Sequence, residues 1–161
     1  MIPAVTSAVG QPVSSTAIRR AIAGGDLERA AEALGRPYAL GGHVSHGEKR
    51  GRLLGFPTVN VPLPSARKLL PPEGVYAIRV QTPRGPFGGM LNLGPRPTFG
   101  DASVSIEAHL FDAAGDFYGN RVRIDFLRRL RDTQRFPDAR ALVAQLERDA
   151  LAARDTLAAT A

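Results

Sequence analysis

Residues 103–111 read SVSIEAHLF, and their alternation is strict. In an extended chain Val104, Ile106, Ala108 and Leu110 face one side, and Ser105, Glu107, His109 and Phe111 face the other. A period of two is the signature of a half-buried strand. The neighbouring segments follow the same style. Candidate strands lie at 38–46, 57–62, 74–82, 86–93, 103–111 and 120–127, divided by turn signals such as PPEG, PRG and DAAGD. No helix intervenes between them. Parallel pairing needs crossover helices, so six short strands in a row predict an antiparallel barrel or sandwich.

Helices are expected only at the ends. Ser14, Ser15 or Thr16 can cap a short helix running to Ala23, and Gly24 and Gly25 break it. Asp26 caps a second, with Leu27, Ala30, Ala31 and Leu34 on one face and Gly35 and Pro37 at its end. After the strands, Asp138 caps a long helix. Leu142, Val143, Leu146, Ala150, Ala153 and Leu157 give it one apolar stripe. This helix is expected to pack on the barrel.

The chain has 161 residues, enough for one real core, and 43% of them are hydrophobic. No apolar run approaches the roughly 18 residues of a membrane span, and the start lacks the pattern of a secretory signal. There is no cysteine, which excludes disulfides and thiol catalysis and accords with a cytoplasmic protein. Net charge is +6 and nearly all the positive charge is arginine; Lys49 and Lys68 are the two lysines. Arginine suits bidentate contact with phosphate. Solvated arginine faces, a phosphorylated small ligand and nucleic acid all stay open on charge alone.

Four segments carry candidate chemistry. In GRLLGFPTVN (51–60), Thr58 and Asn60 are two apart and share a face, with Val59 and Val61 opposite. That is either an ordinary half-buried strand or an oxygen platform for a metal or phosphate. In GHVSHGEKRGRLLG (42–55), glycines at 42, 47, 51 and 55 surround Lys49, Arg50 and Arg52. Glycine lets backbone N–H groups approach phosphate closely, but the P-loop spacing is absent and no helix follows, so the segment alone reads first as a structural hairpin loop, with a phosphate loop as the alternative. Glu107 is either a solvated strand carboxylate or a general base on a rigid strand. His109 is read as a surface or hydrogen-bonded histidine rather than a ligand. In GDFYGNRV (115–122), Phe117 and Tyr118 are expected exposed at a turn, where they either pack or stack on a heterocycle. NLGPRPTFG (92–100) reads as an ordered loop, and FLRRLRDTQRF (126–136) leads from the last strand into the final helix.

As a set, GRLLGFPTVN, GVYA (74–77), NLGPRPTFG, IEAHLFD (106–112), DFYG (116–119) and FLRRLRD (126–132) resemble the riboflavin kinase module of bacterial bifunctional FAD synthetases over about residues 38–155. The resemblance implies a mainly β fold: a six-stranded antiparallel Greek-key barrel with a C-terminal helix. It implies transfer of the ATP γ-phosphate to the 5′-hydroxyl of riboflavin, giving FMN, with Mg²⁺ as cofactor. The family's Pro-Thr-Ala-Asn motif binds Mg²⁺ and phosphates; here it reads PTVN, so those roles carry to Thr58 and Asn60, with Val59 in place of the usual alanine. The family's catalytic glutamate carries to Glu107. Gly47, Lys49, Gly51 and Arg52 are then expected over the phosphates, Phe117 and Tyr118 on the nucleotide side, and Leu130, Arg131 and Phe136 beside the flavin. Residues 1–37 look like a leader and helical connection from an N-terminal FMN adenylyltransferase domain, with 38–161 as the kinase barrel; adenylyl transfer is not expected of this chain. Two other readings are a flavin-binding barrel without catalysis and a basic OB-like barrel on single-stranded nucleic acid. The latter needs aromatics interleaved with arginine on one sheet face. Neither a membrane nor a nucleic-acid partner is expected.

Overall fold

Alternation, turns and caps are realised in a computed structural model that describes Gly10 and residues 14–47, 50–95 and 103–161. Two short helices come first, α1 (Ser15–Ala23) and α2 (Leu27–Leu34). The Ser14 side chain accepts from the Ala17 N–H and Asp26 from the Arg29 N–H, as caps should, and Gly35 ends α2 in the left-handed region at φ 70°. The strands are β1 (Tyr38–His43), β2 (Val59–Asn60), β3 (Gly74–Thr82), β4 (Gly85–Pro95), β5 (Val104–Leu110) and β6 (Arg121–Arg131). A single helical turn, α3 (Arg50–Leu53), lies between β1 and β2, and α4 (Ala139–Ala159) closes the chain with Asp138 as its cap.

The six strands form one antiparallel sheet in the order β1-β6-β3-β4-β5-β2. Strands β3, β4 and β5 form a meander and β6 returns to lie beside β3, which is the Greek-key arrangement. The sheet curls until its edges meet at one bridge: just past β1, the Ser45 N–H donates to the Asn60 carbonyl at 2.8 Å. This close approach depends on a missing side chain. A Cβ on Gly42 would lie 2.7 Å from a Val61 methyl.

Two apolar layers result. The inner one fills the curl with Leu40, Tyr76, Ile78, Leu91, Leu93, Ile124 and Phe126, all essentially buried. The outer one lies between the sheet and α4 and contains Ala77, Met90, Phe111 and Ala153, with Leu127, Leu130 and Leu146 packed on it. This explains why β3 is buried on both faces from Gly74 to Ile78, where alternation alone predicts one. The helices α1 and α2 add a small layer around Ile22 and Ala30 against Tyr38, whose hydroxyl donates to the Leu69 carbonyl at 2.5 Å.

Three expectations need correction. The first two strands are shorter than expected, Tyr38–His43 and Val59–Asn60, and β6 runs four residues further, to Arg131. The extension is irregular. Against β3 the register skips once between Phe126 and Arg128 and once between Arg129 and Arg131. Each skip is a bulge with one extra residue, Leu127 and Leu130. The bulges place both leucines in the outer core, a pattern that period-two reading cannot anticipate. On α4, the most buried residues include Asp149 and Thr156, whereas Leu142 and Val143 are only half-buried.

Candidate functional site

Strand register assembles the site. In β2 and β5, Asn60 lies opposite Glu107, and in β4 and β5, Glu107 lies opposite Asn92. Directly opposed residues of an antiparallel pair project to the same face. Asn60, Glu107 and Asn92 therefore form one cross-strand row on the outside of the sheet. The row continues through Val75 to Arg131. Neighbouring strands are about 4.8 Å apart, so Glu107 and Arg131 are separated by three spacings, roughly 14 Å.

Glu107 is half-buried. Its Oε1 accepts the Ser105 hydroxyl at 3.0 Å, and among the described residues Oε2 accepts no hydrogen bond. One oxygen is thus held by Ser105.

Thr58 comes immediately before β2 and Asn60 lies within it, while Val59 packs on the inner core and Val61 is buried in it. Thr58 also borders a cavity of about 650 Å³ at the end of the curl. Of the residues expected around phosphate and nucleotide, Gly47, Arg52, Thr58, Phe117 and Tyr118 line it. Asn60 and Glu107 lie just outside it, and Gly47 links the two regions: a Cβ there would overlap the Asn60 side-chain amide. Gly51 is needed for a similar reason, because a Cβ would run into the Phe56 carbonyl. Lys49 lies outside the described residues, as does residues 96–102, the greater part of the NLGPRPTFG loop.

The two turn aromatics differ. Tyr118 is 54% exposed, but Phe117, expected exposed beside it, is buried as a core plug with Phe87 edge-on at 5.6 Å and the Arg84 guanidinium 4.3 Å above it. Tyr118 stacks on His46, with ring centres 3.7 Å apart and planes 15° from parallel. His46 was not among the expected site residues, and nothing local marks it: the stack joins segments more than 70 residues apart in the chain. Ser105 and Asn92 were also missed. Ser105 could have been found, since it is two residues from Glu107 on the same face. Asn92 falls within the expected strand 86–93, realised as β4, but nothing in the sequence singles it out beside Glu107.

The three residues expected near a flavin lie at the far end of the row. Leu130 packs in the outer core, and the Arg131 guanidinium lies 5.8 Å from the Phe136 ring. Arg131 is not free. It grips the buried Asp149 carboxylate through Nε at 2.9 Å and Nη2 at 2.7 Å, while Gln145 donates to the same group at 2.9 Å.

The donor set suits a small hard cation. Thr58, lining the cavity, and Asn60, just outside it, offer neutral oxygens, and the space above Gly47 is taken by the Asn60 amide. Mg²⁺ takes few protein ligands and leaves most of its octahedron to water and phosphate oxygens, so two such groups fit it. A second, shallow cavity of about 650 Å³ lies apart from these residues, over β1 and β6, where Arg36, Arg121 and Arg123 surround it.

Comparison with known proteins agrees with this architecture. The flavokinase profile, described as riboflavin kinase, matches residues 34–157. The bifunctional riboflavin kinase/FMN adenylyltransferase of Escherichia coli K12 is 42% identical over 147 residues, which are 91% of this chain and 46% of that protein. The Bacillus subtilis protein of the same name is 40% identical, covering 85% of this chain and 44% of its own length. The chain thus spans less than half the length of these curated relatives. Among solved structures, riboflavin kinase from Trypanosoma brucei superposes with a TM-score of 0.55 at 26% identity, covering 75% of this chain and 80% of that one. A Streptococcus pneumoniae structure described as a macrolide-efflux protein superposes with a TM-score of 0.82 at 37% identity, over 92% of this chain and 48% of that one. Among the described residues no helix is long and apolar enough to cross a membrane. The chain belongs to the riboflavin kinase family.

Proposed function

We propose that this chain phosphorylates riboflavin: the 5′-hydroxyl of the ribityl chain attacks the γ-phosphorus of ATP, the bond to the β-bridging oxygen breaks, and FMN, ADP and a proton result. The observation that carries the proposal is the row Asn60–Glu107–Asn92 next to the cavity bordered by Thr58 and Gly47, in a chain of this family. The triphosphate lies in the cavity, under Gly47, Gly51 and Arg52. Mg²⁺, held by Thr58 and Asn60, supplies charge neutralisation for the phosphates. Glu107 takes the hydroxyl proton on Oε2 while Ser105 holds Oε1. The ribityl chain and ring run along the row toward Leu130, Arg131 and Phe136. The roughly 14 Å from Glu107 to Arg131 suits an extended riboflavin, whose reactive hydroxyl and ring lie at opposite ends. Phosphoryl transfer asks mainly for positioning and charge stabilisation, so a site with one carboxylate and few other reactive groups is sufficient.

The nucleic-acid reading gains no support from the surface. Among the described residues Tyr118 is the one aromatic among the exposed large hydrophobics, so the sheet offers no stacking platform. Soluble, cytoplasmic action and a partnership with an FMN adenylyltransferase domain in the full-length protein belong to the same proposal, by analogy with the bifunctional relatives.

The test is to incubate the chain with riboflavin, ATP and Mg²⁺ and separate the flavins by chromatography. FMN should form and chelation of Mg²⁺ should abolish it. Glu107→Gln should slow FMN formation by about 10²–10⁴-fold with riboflavin binding retained. An unchanged rate in that variant removes Glu107 from the proton-accepting role.

A further inference from the structure

We infer that His109 is the positioning residue for Thr58: its ring holds the cation-and-phosphate limb of the site in place without touching the ligands itself. The inference rests on the kinase reading and deepens it.

The argument begins with a gap in the sheet. β2 pairs with β5 only at Val59 and Asn60, opposite Ala108 and Glu107. Continued by one residue, that register sets Thr58 opposite His109, but no ladder forms there. Pro57 has no N–H to give to one. The segment is fastened instead by a side chain: His109 Nδ1 lies 2.7 Å from the Pro57 carbonyl oxygen. A carbonyl can only accept, so Nδ1 carries the proton. The same ring is fixed from two sides, by Phe56 edge-on at 5.3 Å and by Phe111 at 5.7 Å. At its other end the segment is tied by the Phe56 N–H, which donates to the Gly51 carbonyl at 2.8 Å.

Pro57 and Thr58 line the nucleotide cavity and His109 does not. His109 therefore acts through them. Without its bond, the Pro57 carbonyl has no other hydrogen-bond partner among the described residues, and Thr58 is positioned by the Phe56 packing, the Gly51 contact and the two-residue ladder alone. On β5, then, Glu107 serves the acceptor directly, and the next outward residue serves the donor side through Pro57.

Three variants test this. Asparagine places an amide N–H near the position of Nδ1, glutamine places it one carbon further out, and phenylalanine keeps the ring without a donor. Binding of Mg²⁺·ADP is measured by calorimetry, and riboflavin binding serves as the control. His109→Phe and His109→Gln should weaken Mg²⁺·ADP by about 10–100-fold, the range for loss of a ligand-orienting partner, with riboflavin affinity unchanged. His109→Asn should recover most of the loss. Wild-type affinity in His109→Phe, or no recovery in His109→Asn, overturns the inference. If the phenylalanine variant fails to fold, long-range ¹H–¹⁵N spectra of the wild-type chain decide: an Nδ1–H tautomer supports the clamp and an Nε2–H tautomer overturns it. A wild-type chain that does not bind Mg²⁺·ADP at all sinks the kinase reading itself, an outcome distinct from equal binding in wild type and variant.

Discussion

Gly47 is the smallest residue of the site and among the least replaceable. Its hydrogen occupies the space next to the Asn60 amide, so any Cβ must push Asn60 out of the row it forms with Glu107. Gly47→Ala should weaken Mg²⁺·ADP binding at least tenfold while the thermal midpoint changes little, since Gly47 lies outside both apolar layers; a melting curve run beside the titration checks both halves. Glycine of this kind is invisible as a function in the sequence, where it reads as one of several glycines in a loop. For Glu107 and Asn60, strand periodicity gives a face in the sequence; the roles proposed for them and for Thr58 come from the family resemblance. His46 was not legible, because a ring stack between distant turns leaves no local signature. Phe117 misled for a related reason: a turn aromatic reads as exposed, yet this one plugs the end of the curl.

At the scale of elements, α4 is held to the sheet by more than its apolar stripe. Asp149 has a side chain only 4% exposed and is satisfied by Arg131 and Gln145. Removing the carboxylate leaves a mostly buried guanidinium unpaired. Asp149→Ala should cost about 3 kcal/mol in urea unfolding, the low end for breaking a buried pair because Arg131 keeps some contact with water. It should also loosen the end of β6 where the ring of the flavin is proposed to lie, read as a rise in KM for riboflavin. About a turn and a half further along α4 the tie is of another kind. Arg154 donates to Asp112 at 3.0 and 3.2 Å, at a turn where Asp112 takes φ 57°. The hydrogen bonds from Arg154, and its charge, hold the Asp112 carboxyl below its ordinary range. A group depressed in the folded state contributes stability above its unfolded value, near pH 4, and loses it as pH falls through the lower folded value. Wild type and Asp112→Asn should therefore differ in urea midpoint at pH 7 and converge as the pH drops below about 4. The helix itself was readable from its stripe and its Asp138 cap. The buried acid within it was not, since its partner lies 18 residues away at the end of a doubly bulged strand.

For the whole molecule, the strand count, the antiparallel order and the terminal helices all follow from local signals: alternation, turn residues and caps that agree with one another. Closure of the sheet does not. It rests on tertiary contact between β1 and the segment after β2, with Gly42 making room for Val61. Hydrogen exchange should reflect this division. Amides of β3, β4 and β6, between two apolar layers, should exchange last; those of α1 and α2, which share a smaller core, should exchange earlier. The Ser45 amide should gain protection when Mg²⁺·ADP is added, because its acceptor is Asn60.

That single bridge also decides how the molecule answers force. β1 runs from Tyr38, where it receives the chain from α2, toward Ser45, where it meets Asn60. Tension applied at the N-terminal end enters at Tyr38 and peels β1 from β6 one pair at a time, in an unzipping geometry that yields at low load. The Ser45–Asn60 contact lies at the far end of that path. In an optical trap the Ser45–Asn60 contact should outlast the detachment of most of β1, and Mg²⁺·ADP, bound where proposed, should raise the load of the last rupture rather than the first.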